Sequence, residues 1–330
     1  MSVLRESLAL PFVMSTTGCL VLGPWVIRRL QAHRWYQPLR HDDCPPLQTL
    51  QRAKQGTPTM GGLLVVGVAA AVAIGFGGLS QPEGWWVLGA ALMLGAVGLV
   101  DDLLKLRRPN AKGLRCWPKL LAALAVGSGV GAMSSGPELG YQRVAVPWLS
   151  VQLELGWWWI PLAAVVVAGA AHAVNLTDGM DGLASGCLAL AFGALGLSAA
   201  LERGNGLVAV WCAALAGSCV GFLWFNSVPA SVFLGDIGAL SLGAALGVLA
   251  LLAHAALGLV IVGGIFVAEA LSVMLQVGSY RWRNRRRIFR VAPLHHHFQL
   301  SGVAEPKLVV RFWIIGLMLA ALGFSALSHS

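Results

Sequence analysis

Charged residues are scarce in this chain of 330 residues, since Asp, Glu, Lys and Arg together make up only 11% of it. An ordinary soluble domain carries about a quarter charged residues, so the composition excludes a water-soluble globular fold. Acids are the scarcer sign, with 14 Asp and Glu against 23 Lys and Arg. The six cysteines are scattered without a C-x-x-C pair, so neither a disulfide framework nor a thiolate metal site is predicted.

Long apolar runs take the place of charge, with 57% hydrophobic residues and a mean hydropathy of +0.73. A membrane-spanning helix needs about 20 mostly apolar residues. The first apolar run lacks a small-residue cleavage site, which predicts a retained anchor. We predict an all-α polytopic integral membrane protein with a single catalytic domain over residues 1–330. About ten transmembrane helices are expected, at 8–27, 60–79, 85–100, 119–135, 157–174, 183–201, 207–225, 238–256, 258–277 and 308–327.

Basic residues gather in three of the predicted loops, 28–58, 101–119 and 279–307. Loops rich in Lys and Arg stay on the cytoplasmic side of a membrane, so ten spans place both termini on the extracytoplasmic side. The same rule accounts for the net charge of +9, and no nucleic-acid partner is predicted. Tryptophans at 85–86 and 157–159 open predicted helices at the outer interface, as in an aromatic belt.

Five aspartates fall at predicted cytoplasmic ends of helices, although they come from three separate loops. Carboxylates contribute little to topology, so their placement needs another reason. Hard oxygen ligands suit Mg²⁺, whose remaining positions are open to substrate phosphates. We therefore predict a divalent-cation site for a phosphate-bearing substrate at the cytoplasmic surface. The five residues are Asp101, Asp102, Asp178, Asp181 and Asp236.

Structural explanations exist for single members of this set. A solvated helix end would explain the pair Asp101 and Asp102, except that acids at a helix C-terminus oppose the macrodipole. Capping of the next helix would explain one acid of the octet 175–182, or Asp236. It does not explain both octet acids together with Asn175. Asn226 lies at the other end of the short loop before Asp236 and is expected to reach the same space.

Two further features are a run of three histidines and an acid within an apolar segment. His295, His296 and His297 follow Pro293, which argues against a regular helix through them. Zinc binding by the histidines is one interpretation, but consecutive residues rarely direct three rings to one ion. Contact with a phosphate or a sugar is therefore favoured. A solvated polar run without function is the alternative. Glu269 lies within the ninth predicted span, where an acid is functional by default, or else a buried protonated packing residue.

Segment 54–62, KQGTPTMGG, leads into the second predicted span. Its glycines permit close backbone approach, and Lys54 supplies a mobile phosphate contact. The spacing is not a Walker pattern.

Five segments together resemble the phospho-N-acetylmuramoyl-pentapeptide transferases (the MraY family) of bacterial cell-wall synthesis, and the resemblance covers nearly the whole chain. The aspartate motifs are shared with the wider polyprenyl-phosphate N-acetylhexosamine-1-phosphate transferases, whereas the triple histidine is typical of the narrower family. The first cytoplasmic loop departs from the pattern, reading DDCPP at 42–46. The segments are KQGTPTMGG (54–62), VDDLLKL (100–106), AVNLTDGMDGLA (173–184), FLWFNSVPASVFLGDIGALSLG (222–243) and IFRVAPLHHHFQLSG (288–302).

The resemblance implies transfer of phospho-MurNAc-pentapeptide from UDP-MurNAc-pentapeptide to undecaprenyl phosphate, giving lipid I and UMP. It also implies Mg²⁺, a homodimer, and a place in the bacterial inner membrane with the active site facing the cytoplasm. Catalytic roles fall on Asp101, Asp102 and Asp236, with Asp236 as the metal ligand. By the same resemblance the substrate site is lined by Lys54, Thr59, Lys105, Lys119, Asn175, Asp178, Asp181, Asn226, Phe233, His295, His296 and His297.

Two mechanisms and two rival functions stay open at this point. Either an aspartate attacks the β-phosphate and forms a phospho-enzyme, or undecaprenyl phosphate attacks directly while Asp101 removes a proton or positions the lipid phosphate. The enzyme could instead transfer GlcNAc-1-phosphate. A cation transporter is disfavoured because transport sites usually lie near the bilayer midplane, whereas the aspartates of this chain are predicted at the cytoplasmic ends of helices.

Overall fold

The computed structural model describes residues 2–36, 54–107, 113–136, 139–149, 151–201 and 205–328. Its regular structure is almost entirely helical, which confirms the predicted class. A short antiparallel hairpin joins β1 (Arg143–Ala145) to β2 (Gln152–Glu154), and a 3₁₀ turn spans Gly156–Trp158. The helices are α1 Ser2–Ala32, α2 Gly62–Gly75, α3 Pro82–Arg107, α4 Cys116–Met133, α5 Trp159–Thr177, α6 Leu183–Leu201, α7 Gly206–Asn226, α8 Gly235–Leu252, α9 Gly258–Val262, α10 Gly264–Trp282, α11 Leu294–Gln299 and α12 Glu305–Ser328.

Eight of these helices are long and apolar enough to cross a membrane, so the protein is a polytopic membrane protein. The predicted span 183–201 coincides with α6. The predicted span 60–79 is the shorter helix α2, of 14 residues. The predicted span 258–277 is interrupted at Gly263, where α9 ends and α10 begins, because adjacent glycines lack the side chains that favour a continuous helix.

The number of spans and the side of the termini remain predictions. Residues 37–53 and 108–112, in two of the basic loops that set the predicted orientation, lie outside the described residues.

Helix α3 is longer than its predicted span 85–100. It begins at Pro82, whose fixed φ and missing N–H suit a first helical position, and continues to Arg107. Asp101 and Asp102 therefore lie inside the helix rather than at its end. The prediction placed them at the C-terminus because hydropathy falls there, although leucines beyond them keep the helix packed.

Helix α8 is the centre of the bundle, since 94% of its spanning window is buried. It packs mainly against α3 and α5. A Cβ on Gly98 of α3 would collide with the backbone of Asp236, and one on Gly62 would collide with Gly238. Small residues allow membrane helices to approach this closely. This approach brings the acids of α3 to the first turn of α8.

Candidate active site

Three aspartates from two helices form one carboxylate cluster. Asp101 and Asp102 lie in the last two turns of α3, and Asp236 lies in the first turn of α8. One oxygen from each lies within 4.8 Å of the other two. Asp101 and Asp102 are buried, whereas the Asp236 side chain is 16% exposed. Three hard oxygen donors at this spacing, with one edge open, could hold a divalent metal ion.

Two lysines offset most of the charge of this cluster. Lys105 Nζ lies 2.6 Å from Asp101 Oδ2 and 3.0 Å from Asp236 Oδ1. Lys119 Nζ, from the first turn of α4, lies 3.0 Å from Asp236 Oδ2. Three carboxylates against two ammonium groups leave one negative charge, which favours a bound cation. The ammonium groups also provide donors for phosphate oxygens.

The two adjacent aspartates have different backbone partners. Asp101 Oδ1 accepts the N–H of Leu114 at 2.5 Å, and Asp102 Oδ2 accepts the N–H of Ile237 at 3.1 Å. Asp102 therefore caps the N-terminus of α8 from a neighbouring helix. The expected alternative, capping by Asp236, is not seen: α8 shows no side-chain cap of its own. The Asp236 carboxylate instead forms ion pairs with Lys105 and Lys119.

The turn after α5 points its two aspartates in different directions. Asp178 lies next to the carboxylate cluster, where the Gly235 amide donates to it. Desolvation by the surrounding protein, followed by the negative charges of Asp236 and Asp102, raises the pKa of Asp178 to about 8. Asp178 and Asp181 are not neighbours on a helix, because α5 ends at Thr177 and α6 begins only at Leu183.

Asp181 belongs instead to a second ionic cluster. Its Oδ1 lies 2.7 Å from Lys54 Nζ, which is also 2.5 Å from Glu305 Oε1. The Glu305 carboxylate also accepts the N–H of Asp181 at 3.0 Å, and Asp181 Oδ2 accepts the N–H of Ala230. Sequence reasoning missed Glu305. Its only signal is an acid in the first turn of α12, which reads as ordinary helix-terminus chemistry.

Asn226 holds the octet turn to the end of α7. Its side-chain oxygen accepts from the Gly182 amide at 3.1 Å and from the Ser185 hydroxyl at 2.8 Å. Its amide nitrogen donates to Val232 at 2.9 Å. Asn226 was expected to reach the space around Asp236, and its hydrogen bonds instead connect it to the octet turn and to the loop before α8. These bonds give Asn226 a part in shaping the turn.

Segment 58–62 pairs with the approach to α8. Phe233 donates to the Pro58 carbonyl and accepts from the Gly61 amide, both at 2.8 Å. The Thr59 hydroxyl is buried. A Cβ on Gly235, where φ is +77, would lie 2.9 Å from both Thr59 Oγ1 and Asp102 Oδ2. The pairing therefore brings Thr59 to the edge of the carboxylate cluster.

The three histidines lie on α11, so the prediction that Pro293 prevents a helix there is wrong. Pro293 immediately precedes the helix, where its missing N–H costs no hydrogen bond. The rings of His295 and His296 lie 4.2 Å apart, and a Cβ on Gly179 would overlap Nε2 of His295. His295 and His296 thus pack on the octet turn.

His297 faces another way, because its Nδ1 accepts the Arg290 amide at 3.2 Å and its ring packs edge-on against Phe289. The structure does not bring all three histidines to one point, which argues against the zinc interpretation. Asn175 lies in the last turn of α5, partly exposed and one turn before Asp178.

Comparisons with known proteins agree with this arrangement. The model described as "Glycosyl transferase family 4" matches residues 85–254, a range that includes the carboxylate cluster. "Phospho-N-acetylmuramoyl-pentapeptide-transferase signature 1" matches residues 54–66, which include Lys54 and Thr59.

Proteins named phospho-N-acetylmuramoyl-pentapeptide-transferase are similar along nearly the whole chain. The one from Pelobacter propionicus is 44% identical over 324 residues, covering 94% of this chain and 89% of that protein. The one from Geobacter sp. (strain M21) is 44% identical over 322 residues, covering 93% and 88%. The one from Syntrophus aciditrophicus is 40% identical over 324 residues, covering 94% and 89%. This chain therefore belongs to the phospho-N-acetylmuramoyl-pentapeptide-transferase family.

Proposed function

We propose that this protein transfers phospho-MurNAc-pentapeptide from UDP-MurNAc-pentapeptide to undecaprenyl phosphate, giving lipid I and UMP at the bacterial inner membrane. The observation that carries the proposal is the cluster of Asp101, Asp102 and Asp236 with two lysines, set in the last two turns of α3 and the first turn of α8. A soluble nucleotide and a lipid phosphate can both reach such a position. Similarity to named transferases over nearly the whole chain supports the same activity.

Mg²⁺ is the proposed cofactor, held by Asp236 with Asp101 and Asp102. The donors are all carboxylate oxygens, within 4.8 Å of one another, and hard oxygen ligands suit Mg²⁺. Bound there, the ion would neutralise charge that develops on the departing phosphate. Asp236 is the most open of the three, which supports its assignment as the principal ligand.

The nucleotide and sugar-phosphate site is proposed to lie between the two ionic clusters, along the octet turn. Asp178 faces the carboxylate cluster, and Asp181 faces Lys54. His295 and His296 pack against the same turn from α11. The remaining proposed contacts come from the surrounding segments: Thr59, Lys105, Lys119, Asn175, Asn226, Phe233 and His297.

Direct attack is the favoured mechanism. An oxygen of undecaprenyl phosphate forms a bond to the phosphorus that bears the sugar, and the bond from that phosphorus to UMP breaks. A phosphate monoester has a second pKa near ~6, so the lipid phosphate needs little help from a base. Both oxygens of Asp101 are engaged, by the Leu114 amide and by Lys105. That engagement supports a positioning role for Asp101 over a nucleophilic one.

The mechanism is tested with Asp101→Asn. Direct attack predicts residual UMP release that persists at high pH. Complete loss at every pH, together with a trapped phospho-enzyme in the wild type, would favour the two-step route.

Substrate choice is tested by UMP release from purified protein with each UDP-sugar in turn. We expect release from UDP-MurNAc-pentapeptide and none from UDP-GlcNAc when undecaprenyl phosphate is present. The opposite preference would assign the chain to GlcNAc-1-phosphate transfer. A transporter would release UMP from neither.

Two statements about assembly belong to the proposal. The active site is proposed to face the cytoplasm, since the basic loops are predicted on that side of the membrane. A membrane-impermeant lysine reagent applied to spheroplasts should therefore leave Lys105 unlabelled. A homodimer is expected by resemblance, and native mass spectrometry of the purified protein tests it.

A further inference from the structure

Glu269 is a buried carboxylate outside the sites described above. It lies in α10 with no surface exposure. A buried charge is costly unless it is paired, and the apolar interior of this helical bundle offers few partners. The identity of its partner therefore indicates what the residue does.

Both oxygens of Glu269 contact one residue, His295. Oε1 accepts the backbone N–H of His295 at 3.2 Å. Oε2 lies 3.2 Å from the ring nitrogen Nδ1, and the two side chains are fully buried. The backbone bond is aligned, whereas the ring contact is at ion-pair distance without hydrogen-bond alignment. Glu269 thus fixes both the start of α11 and the rotation of one of its rings.

The other edge of the same ring meets the octet turn. A Cβ on Gly179 would overlap His295 Nε2, and that nitrogen has no hydrogen-bond partner within the part of the chain that the structure describes. Nδ1 facing a carboxylate favours the tautomer with the proton on Nδ1. Contacts therefore run from Glu269 through His295 to Gly179, one residue after Asp178.

We propose that Glu269 is a positioning residue for the nucleotide-sugar site: its carboxylate holds the His295 ring against the turn that carries Asp178 and Asp181. This inference rests on the proposed function. Glu269 acts through His295 and touches neither ionic cluster, so its removal should affect the nucleotide substrate and spare the lipid substrate. Removal of a carboxylate that orients a metal-ligating histidine costs about 10- to 100-fold in affinity or activity, and we take the lower figure for the histidine here.

Glu269→Gln isolates the charge. The amide oxygen can still accept the His295 N–H, but the amide nitrogen now faces Nδ1 and favours the other tautomer. Ser272→Ala is the matched control, because Ser272 is buried one turn away on α10 and its hydroxyl bonds only to the Glu269 carbonyl among the bonds described.

The experiment measures kcat, KM for each substrate and Tm for the wild type and both variants. We expect Glu269→Gln to raise KM for UDP-MurNAc-pentapeptide about 10-fold, with KM for undecaprenyl phosphate unchanged and Tm close to that of Ser272→Ala. Adding Glu269→Gln to His295→Asn should have little further effect, since the pair acts as a unit. Unchanged kinetics, or both KM values rising together with a lowered Tm, would overturn the inference.

Direct titration with UMP separates this inference from the proposed function. If the wild type releases no UMP, the proposed function fails, and UMP affinity still reports on Glu269. Weaker UMP binding in Glu269→Gln than in Ser272→Ala would support the positioning role, and equal binding in the two variants would contradict it.

Discussion

Asp102 and Ile237 join two helices that are distant in sequence: the Asp102 carboxylate accepts the Ile237 amide at 3.1 Å, across 135 positions. The bond caps the N-terminus of α8 with an acid from α3. Negative charge is favourable at a helix N-terminus because of the macrodipole. The same bond fixes the separation between Asp102 and Asp236, two of the three members of the carboxylate cluster.

Two substitutions of Asp102 separate its structural part from its electrostatic part. Asp102→Asn keeps an oxygen that can accept the Ile237 amide, so its Tm should stay near that of the wild type. UMP release should fall by about 100-fold or more, because the charge that helps to hold the cation is lost. Asp102→Ala should in addition lower stability by about 1 kcal/mol through loss of the cap. An Asn variant with wild-type activity would contradict the assignment.

Lys105 should compete with Mg²⁺. Its Nζ lies 2.6 Å from an Asp101 oxygen and 3.0 Å from an Asp236 oxygen, so ammonium and metal seek the same ligands. Lys105→Gln is expected to bind Mg²⁺ about 10-fold more tightly, read as a larger Mg²⁺-dependent rise in Tm, while UMP release falls. Lys307→Gln, at an exposed position, is the control. A weaker or unchanged Mg²⁺ response in Lys105→Gln would count against the shared site.

Asp178 should make Mg²⁺ binding depend on pH. Its pKa is raised to about 8 by desolvation and by the nearby acids, whereas an unfolded chain loses this proton near pH ~4. Over this range the folded state keeps a proton that the unfolded state has lost, so stability falls as pH rises. The contribution of Asp178 to stability is fully present below pH ~4 and is lost by about pH 8. A cation in the cluster favours the ionised form, so binding releases the proton.

Mg²⁺ affinity is accordingly expected to rise as pH approaches about 8 and to level off above it. Isothermal titration calorimetry in buffers of different ionisation enthalpy measures both the affinity and the released proton. Asp178→Asn should flatten the profile. An equally steep profile in that variant would show that another group titrates.

Gly179 should not accept a side chain. A Cβ there would overlap His295 Nε2 and crowd His296 Nε2, so Gly179→Ala must displace α11 or the turn. We expect a higher KM for the nucleotide substrate and a Tm lowered by several degrees, as overpacking costs about 1–3 kcal/mol.

Gly193→Ala supplies the comparison for Gly179→Ala. A Cβ on Gly193 in α6 meets open space, so alanine should leave activity unchanged there. Equal behaviour of the two variants would remove the packing argument for the histidines.

Sequence patterns predicted a good deal of this structure. The apolar run 183–201 coincides with α6, since a bilayer requires continuous apolar helices. Asp101, Asp102 and Asp236 were expected on one face and form one cluster. Acids are so rare in this composition that a few aspartates bordering apolar runs are easily recognised.

The remaining features of the site depend on tertiary contacts that leave no periodic pattern in the sequence. Gly182 adopts a φ of +78, and the turn it ends sends Asp178 and Asp181 to different clusters. Glu305 joins Lys54 across 251 positions, and the partner of Glu269 lies 26 residues away beyond a loop. Such pairs are set by tertiary packing. From sequence alone Glu269 could be read as either a functional acid or an inert one.

The central claim is that the Asp101, Asp102 and Asp236 cluster performs metal-dependent phosphosugar transfer. The most direct measurement is UMP release from UDP-MurNAc-pentapeptide and undecaprenyl phosphate by the wild type and by Asp236→Asn, each with Mg²⁺ and with EDTA. The account predicts release only by the wild type with Mg²⁺, accompanied by lipid-linked product. Release that persists in EDTA, or at an undiminished rate in Asp236→Asn, would contradict it.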